Sequence, residues 1–244
     1  MDSPLLNIMQ KAAKKASRGL RRDFNELENL QVKTKGPANF VTASDIRTQK
    51  IIYEELSYAK PNWSFIMEES KPIENQNTKA RFIIDPIDGT TNFLNGVPHF
   101  CISIALLVNK EIVSGVIYDP IKDEIFYAEK NGGAYLNNKS IRVSKKSLIS
   151  DCLYGVNFRN NIPENFIIRN TGSAALDLAY VSAGRFDGSI QRNVNLWDIA
   201  AGTVLIREAG GIVDKFELDK FNKINIKASN ERINKDLFKK ISIF

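Results

Sequence analysis

A mixed α/β fold is the class this sequence predicts, on three observations. The first thirty residues repeat apolar side chains at helical spacing. The middle, from Phe100 to Ser144, is a series of short apolar runs broken by turn residues, as antiparallel strands require. The last third mixes Ala-rich helical stretches with a short apolar run.

Residues 4 to about 30 place Leu5, Leu6, Met9, Ala12, Ala13, Ala16, Leu20, Phe24, Leu27 and Leu30 on one face of a helix. Its lysines and arginines read as a solvated face rather than an RNA-binding one. Gly36-Pro37 signals a turn, and Ser44 or Asp45 can cap a second helix running to about Ala59. Trp63 to Met67 reads as a short buried strand with Glu68 and Glu69 at its end. Lys71 to Lys79 is polar and turn-rich, a mobile hairpin or loop.

Phe82, Ile83 and Ile84 form a second buried strand, which Pro86 should end at Asp85. Asn92 can cap a helix after it. The runs CISIALLV, EIVSGVIYD, EIFYAEK and AYLNNKSIRVS then read as four strands, with turns at Asn109-Lys110, Asp119-Pro120 and Gly132-Gly133. An Ala-rich helix follows Gly172-Ser173-Ala174. Asp198 opens a helix from Ile199 to Glu208 that Gly210-Gly211 closes. A strand from Gly211 to Phe216 and a helix from about Glu231 complete the chain.

A chain of 244 residues can bury a substantial core, and we expect one domain over residues 1–244. Apolar content of 43% and charged content of 25% are ordinary globular values. The net charge of +6 reads as a mildly basic surface, spread out and broken only by pairs such as Lys14-Lys15 and Arg21-Arg22. Two cysteines, Cys101 and Cys152, are too few for a disulfide scaffold and point to a reducing cytosol. No apolar run approaches a membrane span, and the N-terminus lacks a signal-peptide core, so a cytoplasmic protein is expected. His99 is the single histidine and reads as structural. Zinc sites built on two or three histidines are thereby excluded, and no phosphate-binding loop or dinucleotide fingerprint is present. Chemistry falls to carboxylates, hydroxyls, backbone and metal.

The stretch best suited to that chemistry is RFIIDPIDGTTNF, Arg81 to Phe93. Asp85 and Asp88 stand three residues apart across a proline at the end of a strand. Gly89, Thr90 and Thr91 follow with backbone donors and hydroxyls. Oxygen ligands beside free amides suit Mg²⁺ and a phosphate. The plainer alternative is a solvated Asp-rich turn.

The longer string resembles the metal-ligand motif of the inositol monophosphatase family, within the lithium-sensitive, magnesium-dependent phosphatases. MEES (Met67 to Ser70), GSAALDLAYVSAGRFDG (Gly172 to Gly188) and LWDIAAGTVLIREAGG (Leu196 to Gly211) match the family in order and spacing, so the resemblance covers almost the whole chain. It implies an α/β fold in alternating layers, an αβαβα sandwich of inositol monophosphatase and fructose-1,6-bisphosphatase type. It implies a Mg²⁺-dependent phosphomonoesterase acting on inositol 1-phosphate or a related small phosphorylated alcohol. Histidinol phosphate, a sugar bisphosphate and adenosine 3′,5′-bisphosphate are the alternative substrates.

By the same resemblance, one metal takes Glu68, Asp85 and the carbonyl of Ile87, and a second takes Asp85, Asp88 and Asp198. Thr90 and Asp45 form a base relay. The amides of Gly89 and Thr90 hold the phosphate. Ile87, Asp88, Gly172, Ser173, Ala174, Gln191 and Asp198 complete the substrate contacts. Relatives commonly have glutamate where this chain has Gln191, so a looser grip on a vicinal diol is expected. Each assignment has a structural counterpart: Asp45 and Asp198 as helix caps, Glu68-Glu69 as a solvated pair, the glycine and alanines as close helix packing, Gln191 as a strand-end residue in solvent. Electrostatics favour the metal. Carboxylates 4 Å apart repel by about 4 kcal/mol at an effective dielectric near 20, and a cluster of four would protonate, spread apart or bind cations.

Two rivals stand against this. Haloacid-dehalogenase-type phosphatases use a D-x-D-x-T pattern, which the three-residue spacing of Asp85 and Asp88 does not match. Bacterial relatives are also linked to RNA processing and transcription complexes, where the chain would serve as a scaffold. The family is typically dimeric, and a homodimer is expected, although the segment between Phe158 and Arg169 is shorter than in relatives.

Overall fold

The computed structural model describes residues 3–26, 32–36, 39–160, 162–164, 166–218 and 223–240. Helix α1 (Pro4–Asn25) starts where Ser3 accepts the Leu6 amide at 3.1 Å and Pro4 supplies a fixed φ in the first turn. It ends sooner than the periodicity suggests, and Leu27 and Leu30 lie outside the described residues. A two-stranded ribbon, β1 (Val32–Gly36) and β2 (Asn39–Thr42), leads to α2 (Ala43–Ala59). Ser44 and Asp45 therefore sit inside the first turn of α2 and not at its cap.

A seven-stranded sheet follows: β3 (Trp63–Met67), β4 (Asn77–Asp88), β5 (Cys101–Val108), β6 (Glu111–Asp119), β7 (Glu124–Glu129), β8 (Gly133–Leu136) and β9 (Lys139–Ser140), in that spatial order. Only β3 and β4 run parallel. Three sequence expectations are corrected here. The polar stretch after Lys71 is not all loop, since Ile73 bridges to Phe65 and β4 begins at Asn77. Pro86 does not end β4, because β3 stops pairing at Ile84 and leaves no ladder bond on that side for Pro86 to miss. Its place in a bulge between Asp85 and Asp88 carries the strand on to Asp88. The fourth strand breaks at Asn137 and Asn138, both left-handed (φ 46° and 66°), and pairing ends at Ser140.

The second sheet has five strands: β10 (Leu153–Val156), β11 (Ile167–Arg169), β12 (Gly188–Val194), β13 (Gly211–Val213) and β14 (Ile224–Asn230), ordered β11-β10-β12-β14-β13. Helices α4 (Ala174–Ser182) and α5 (Leu196–Glu208) lie between the two sheets. Helices α1 and α2 cover the far side of the first sheet, and α6 (Glu231–Lys240) covers the second. This is the expected αβαβα order. Strand β4 shows how the layers divide its side chains. Phe82 and Ile84 pack with Met9, Leu20 and Ile52 of the outer helices, whereas Ile83 joins the core around α4 and α5. Both faces of the sheet are covered, so its strands read as apolar runs rather than strict alternation.

The charge is not spread out. Six lysines and arginines and one aspartate fall between residues 4 and 25, so α1 carries a net +5 of the chain's +6. Among the described residues no helix is long and apolar enough to cross a membrane.

Close packing depends on glycine at two places on α5. A Cβ on Gly202 would lie 2.4 Å from that of Leu178 in α4, and one on Gly115 in β6 would lie 2.7 Å from the Ala201 carbonyl. Gly19, also mid-helix, has nothing within 4 Å of the same point. The same substitution should thus have opposite signs. We expect Gly19→Ala to stabilise by roughly 0.5–1 kcal/mol through backbone entropy and Gly202→Ala to destabilise by about 1–3 kcal/mol through overpacking. Urea unfolding midpoints measure both, and a stabilising Gly202→Ala would show that α4 and α5 can separate freely.

Candidate active site

The ends of β3 and β4 and the first turns of α3 (Thr90–Leu94), α4 and α5 meet around one cavity of about 390 Å³. Asp85 and Asp88 come from the bulged end of β4 and Asp198 from the first turn of α5. Each offers a carboxylate oxygen within 4.8 Å of the others. Glu68, just past β3, lies on the same wall and hydrogen-bonds with Asp85. The four acids singled out in the sequence are brought together.

The structure pins one oxygen of each aspartate in the cluster. Asp85 Oδ1 accepts the Ile87 amide at 3.0 Å. Asp198 Oδ2 accepts the Asn195 amide at 2.7 Å. Asp198 is therefore not the cap of α5; Asn195 is, and Asp198 is the third helical residue bonding back to it. Asp88 Oδ2 takes the Ala175 amide at 2.7 Å and the Ser173 hydroxyl, both from the start of α4. Hydrogen bonds of this kind, from outside the cluster, orient metal-binding carboxylates.

Burial, then the negative charges of Glu68, Asp88 and Asp198, hold the Asp85 carboxyl well above the usual range. Burial pushes Asp88 up to about 6, against the pull of its Ser173, Ala175 and Ala174 donors. Burial and the Asp88 charge push Asp198 up to about 7. A cation bound among them would favour the charged forms and offset these shifts. Hard oxygen donors alone, with a backbone carbonyl at Ile87 beside them, fit a hard divalent ion.

Gly89 adopts φ +96° and turns the chain from β4 into α3, with Thr90 as the first helical residue. The Thr90 hydroxyl donates to the Ile87 carbonyl at 2.9 Å. Asp45 is fully buried in the first turn of α2 and is not on the cavity wall. Asn92 is not a cap but lies within α3, donating to the carbonyls of His99 (2.7 Å) and Thr171 (2.8 Å). His99 is likewise off the cavity wall, its ring edge-on to Tyr180, in keeping with a structural role.

Gly172, Ser173 and Ala174 reach the cavity, as does Gln191, though not as a solvated strand end. Gln191 is 0% exposed and donates 2.9 Å bonds to Asp177 Oδ2 and Ser189 Oγ, with Oε1 buried and without a partner. Asp177, held also by Thr171 at 2.7 Å, was missed in the sequence; burial raises its carboxyl to about 8. Its signal was an acid in an otherwise apolar helix. Asn157, Asn170, Asn193, Asn195 and Lys223 line the cavity too, and no local pattern marks them.

The family model "Inositol monophosphatase family" matches residues 1–242. An inositol-1-monophosphatase of Mesorhizobium japonicum is 44% identical, over 98% of this chain and 96% of that protein. A Nus factor SuhB of Xylella fastidiosa is 38% identical, over 89% of this chain and 84% of that one. The crystal structure of extragenic suppressor protein suhB from Bartonella henselae superposes with a TM-score of 0.90 at 46% identity, covering 96% and 97% of the two chains. With its layered fold and its cluster of acids, this chain belongs to the inositol monophosphatase family, a family of metal-dependent phosphoric monoester hydrolases.

Proposed function

We propose that the chain is a Mg²⁺-dependent phosphatase for inositol 1-phosphate or a related small phosphorylated alcohol. The observation that carries this is the set of three carboxylates, two buried and one partly buried, within 4.8 Å on the wall of the cavity. Glu68, Asp85 and the Ile87 carbonyl would hold one Mg²⁺, and Asp85, Asp88 and Asp198 a second. Bound there, the ions supply Lewis-acid activation of water and neutralise charge developing on the leaving oxygen. In the proposed relay the Thr90 hydroxyl would turn its hydrogen from the Ile87 carbonyl to Asp45 and accept a hydrogen bond from the attacking water. The amides of Gly89 and Thr90 hold phosphate oxygens, while Gly172 and Ala174 face the alcohol.

A second reading is favoured by the concentration of charge on α1: contact with nucleic acid, in keeping with relatives named Nus factor. RNA binding that falls steeply with added salt, in a chain that lacks Mg²⁺-dependent phosphatase activity, would put this reading first.

Phosphate release from inositol 1-phosphate should require Mg²⁺ and should vanish in Asp88→Asn while the circular dichroism spectrum is kept. Full turnover in excess chelator would overturn the two-metal account. Thr90→Ala and Asp45→Asn should each slow turnover severely, and the double variant should be little worse than either, as expected of residues acting as a unit. Losses that multiply would leave Asp45 as a structural acid of the first helical turn.

Gln191 remains a proposed reader of the alcohol, with a constraint the geometry adds. Both amide hydrogens are spent on Asp177 and Ser189, so only Oε1 is left, and a substrate hydroxyl it reads must donate. Gln191→Glu would set a second buried carboxyl beside Asp177 and remove the amide that donates to it. That variant alone should lose about 1–3 kcal/mol, and adding Asp177→Asn should recover most of the loss in urea unfolding. In the double variant, kcat/KM for inositol 1-phosphate should rise relative to a simple phosphomonoester. An unchanged ratio would remove Gln191 from substrate recognition.

A further inference from the structure

Asp88 differs from the other acids of the cluster in what holds it. Asp85 and Asp198 are pinned by amides two and three residues away in their own segments. Asp88 is pinned chiefly from the start of α4, by residues 85 and 87 positions along the chain, with the Cys101 thiol of β5 a longer third donor at 3.8 Å. We infer that Ser173 is a positioning residue for Asp88, and that its hydroxyl sets how well Asp88 presents its other oxygen to a cation. This rests on the reading of Asp88 as a metal ligand.

The hydroxyl is committed at both ends. Its oxygen accepts the Leu176 amide at 3.2 Å, which caps α4, so its single hydrogen is left to donate to Asp88 Oδ2. Ser173 is 2% exposed, so water does not compete for either bond. The turn that carries it is fixed from outside. Asn92, in the segment that also supplies Asp85 and Asp88, donates to the Thr171 carbonyl. Gly172 sits at φ +85°, where a Cβ would lie 2.9 Å from the Asn92 amide nitrogen, so no other residue fits without displacing that bond. Thr171 in turn donates to Asp177 at 2.7 Å, anchoring the same turn to the body of α4. The start of α4 is thus locked to the β4–α3 segment, and Ser173 converts that lock into an orientation of one carboxylate. The hydroxyl points at a protein group, and it is not available to a substrate alcohol while that bond holds.

The test separates this role from a substrate contact and from a mere helix cap. Glycine is tolerated as an N-cap almost as well as serine, so Ser173→Gly removes the hydroxyl with little cost to α4, and Ser173→Thr keeps it. The probe is Mg²⁺ alone, titrated calorimetrically into each protein without substrate. Steady-state kinetics with inositol 1-phosphate follow at saturating Mg²⁺. We expect Ser173→Gly to weaken Mg²⁺ binding by about tenfold or more, in the range found for partners of metal ligands, with KM for the substrate unchanged. Ser173→Thr should stay within about threefold of the parent. A raised KM with unaltered Mg²⁺ affinity would make Ser173 a substrate contact and overturn the inference. Equal weakening in both variants, tracking a fall in melting temperature, would reduce it to a cap. If the parent protein itself binds no Mg²⁺, the failure belongs to the metal reading of Asp88, and the inference falls with it.

Discussion

Three carboxylates within 4.8 Å of one another, two buried and one partly so, repel unless something offsets their charge, and much of the surrounding structure answers that constraint. The backbone supplies the first part of the answer. A bulge at Asp85–Asp88 and two helix starts turn amide and hydroxyl donors toward the acids. These donors are too few to hold all the charge, since Asp85, Asp88 and Asp198 all keep raised carboxyls. A cation held among the acids would offset the remainder.

That constraint reaches into the layering. Asp85 and Asp88 belong to the first sheet, Asp198 to the helix layer between the sheets, and the Asp88 donors to the other helix of that layer. The acids stay close only if α4 and α5 press tightly on each other and on the sheet. Gly202 against Leu178 and Gly115 against Ala201 are where that contact is made. The stretches rich in alanine and glycine thus have a packing reason that is also a reason of the site.

This explains what was legible in the sequence and what was not. The first-sheet strands were legible because they are long and buried on both faces, and their turns carry asparagine, aspartate or glycine. The break at Asn137-Asn138 carried the same signal and was passed over. The second sheet was hardly legible. β10 and β11 are four and three residues long, and their pairing is parallel and non-local. Glu68, Asp85, Asp88 and Asp198 were legible through the family resemblance of their surroundings, whereas composition or spacing alone left Asp198 as a cap. Asp177 and the cavity asparagines were not, because they come together only in three dimensions and their neighbours repeat no pattern.

The cavity itself divides into two chemistries. Around Asp85, Asp88 and Asp198 it is anionic, suited to cations and, through them, to a phosphate. Elsewhere on its wall, Asn157, Asn170 and Asn193 carry neutral amides, and Lys223 is tied to Asn195 Oδ1 at 2.8 Å. Neutral amides suit hydroxyls in either sense, as donor or acceptor, and add no charge to a wall that already holds too much. Gln191 follows the same logic one layer deeper. Beside a buried Asp177, a second carboxylate would have no cation to share, whereas an amide satisfies the aspartate and keeps an acceptor in reserve. The amide at Gln191 thus relieves crowding beside Asp177 without adding charge to the wall.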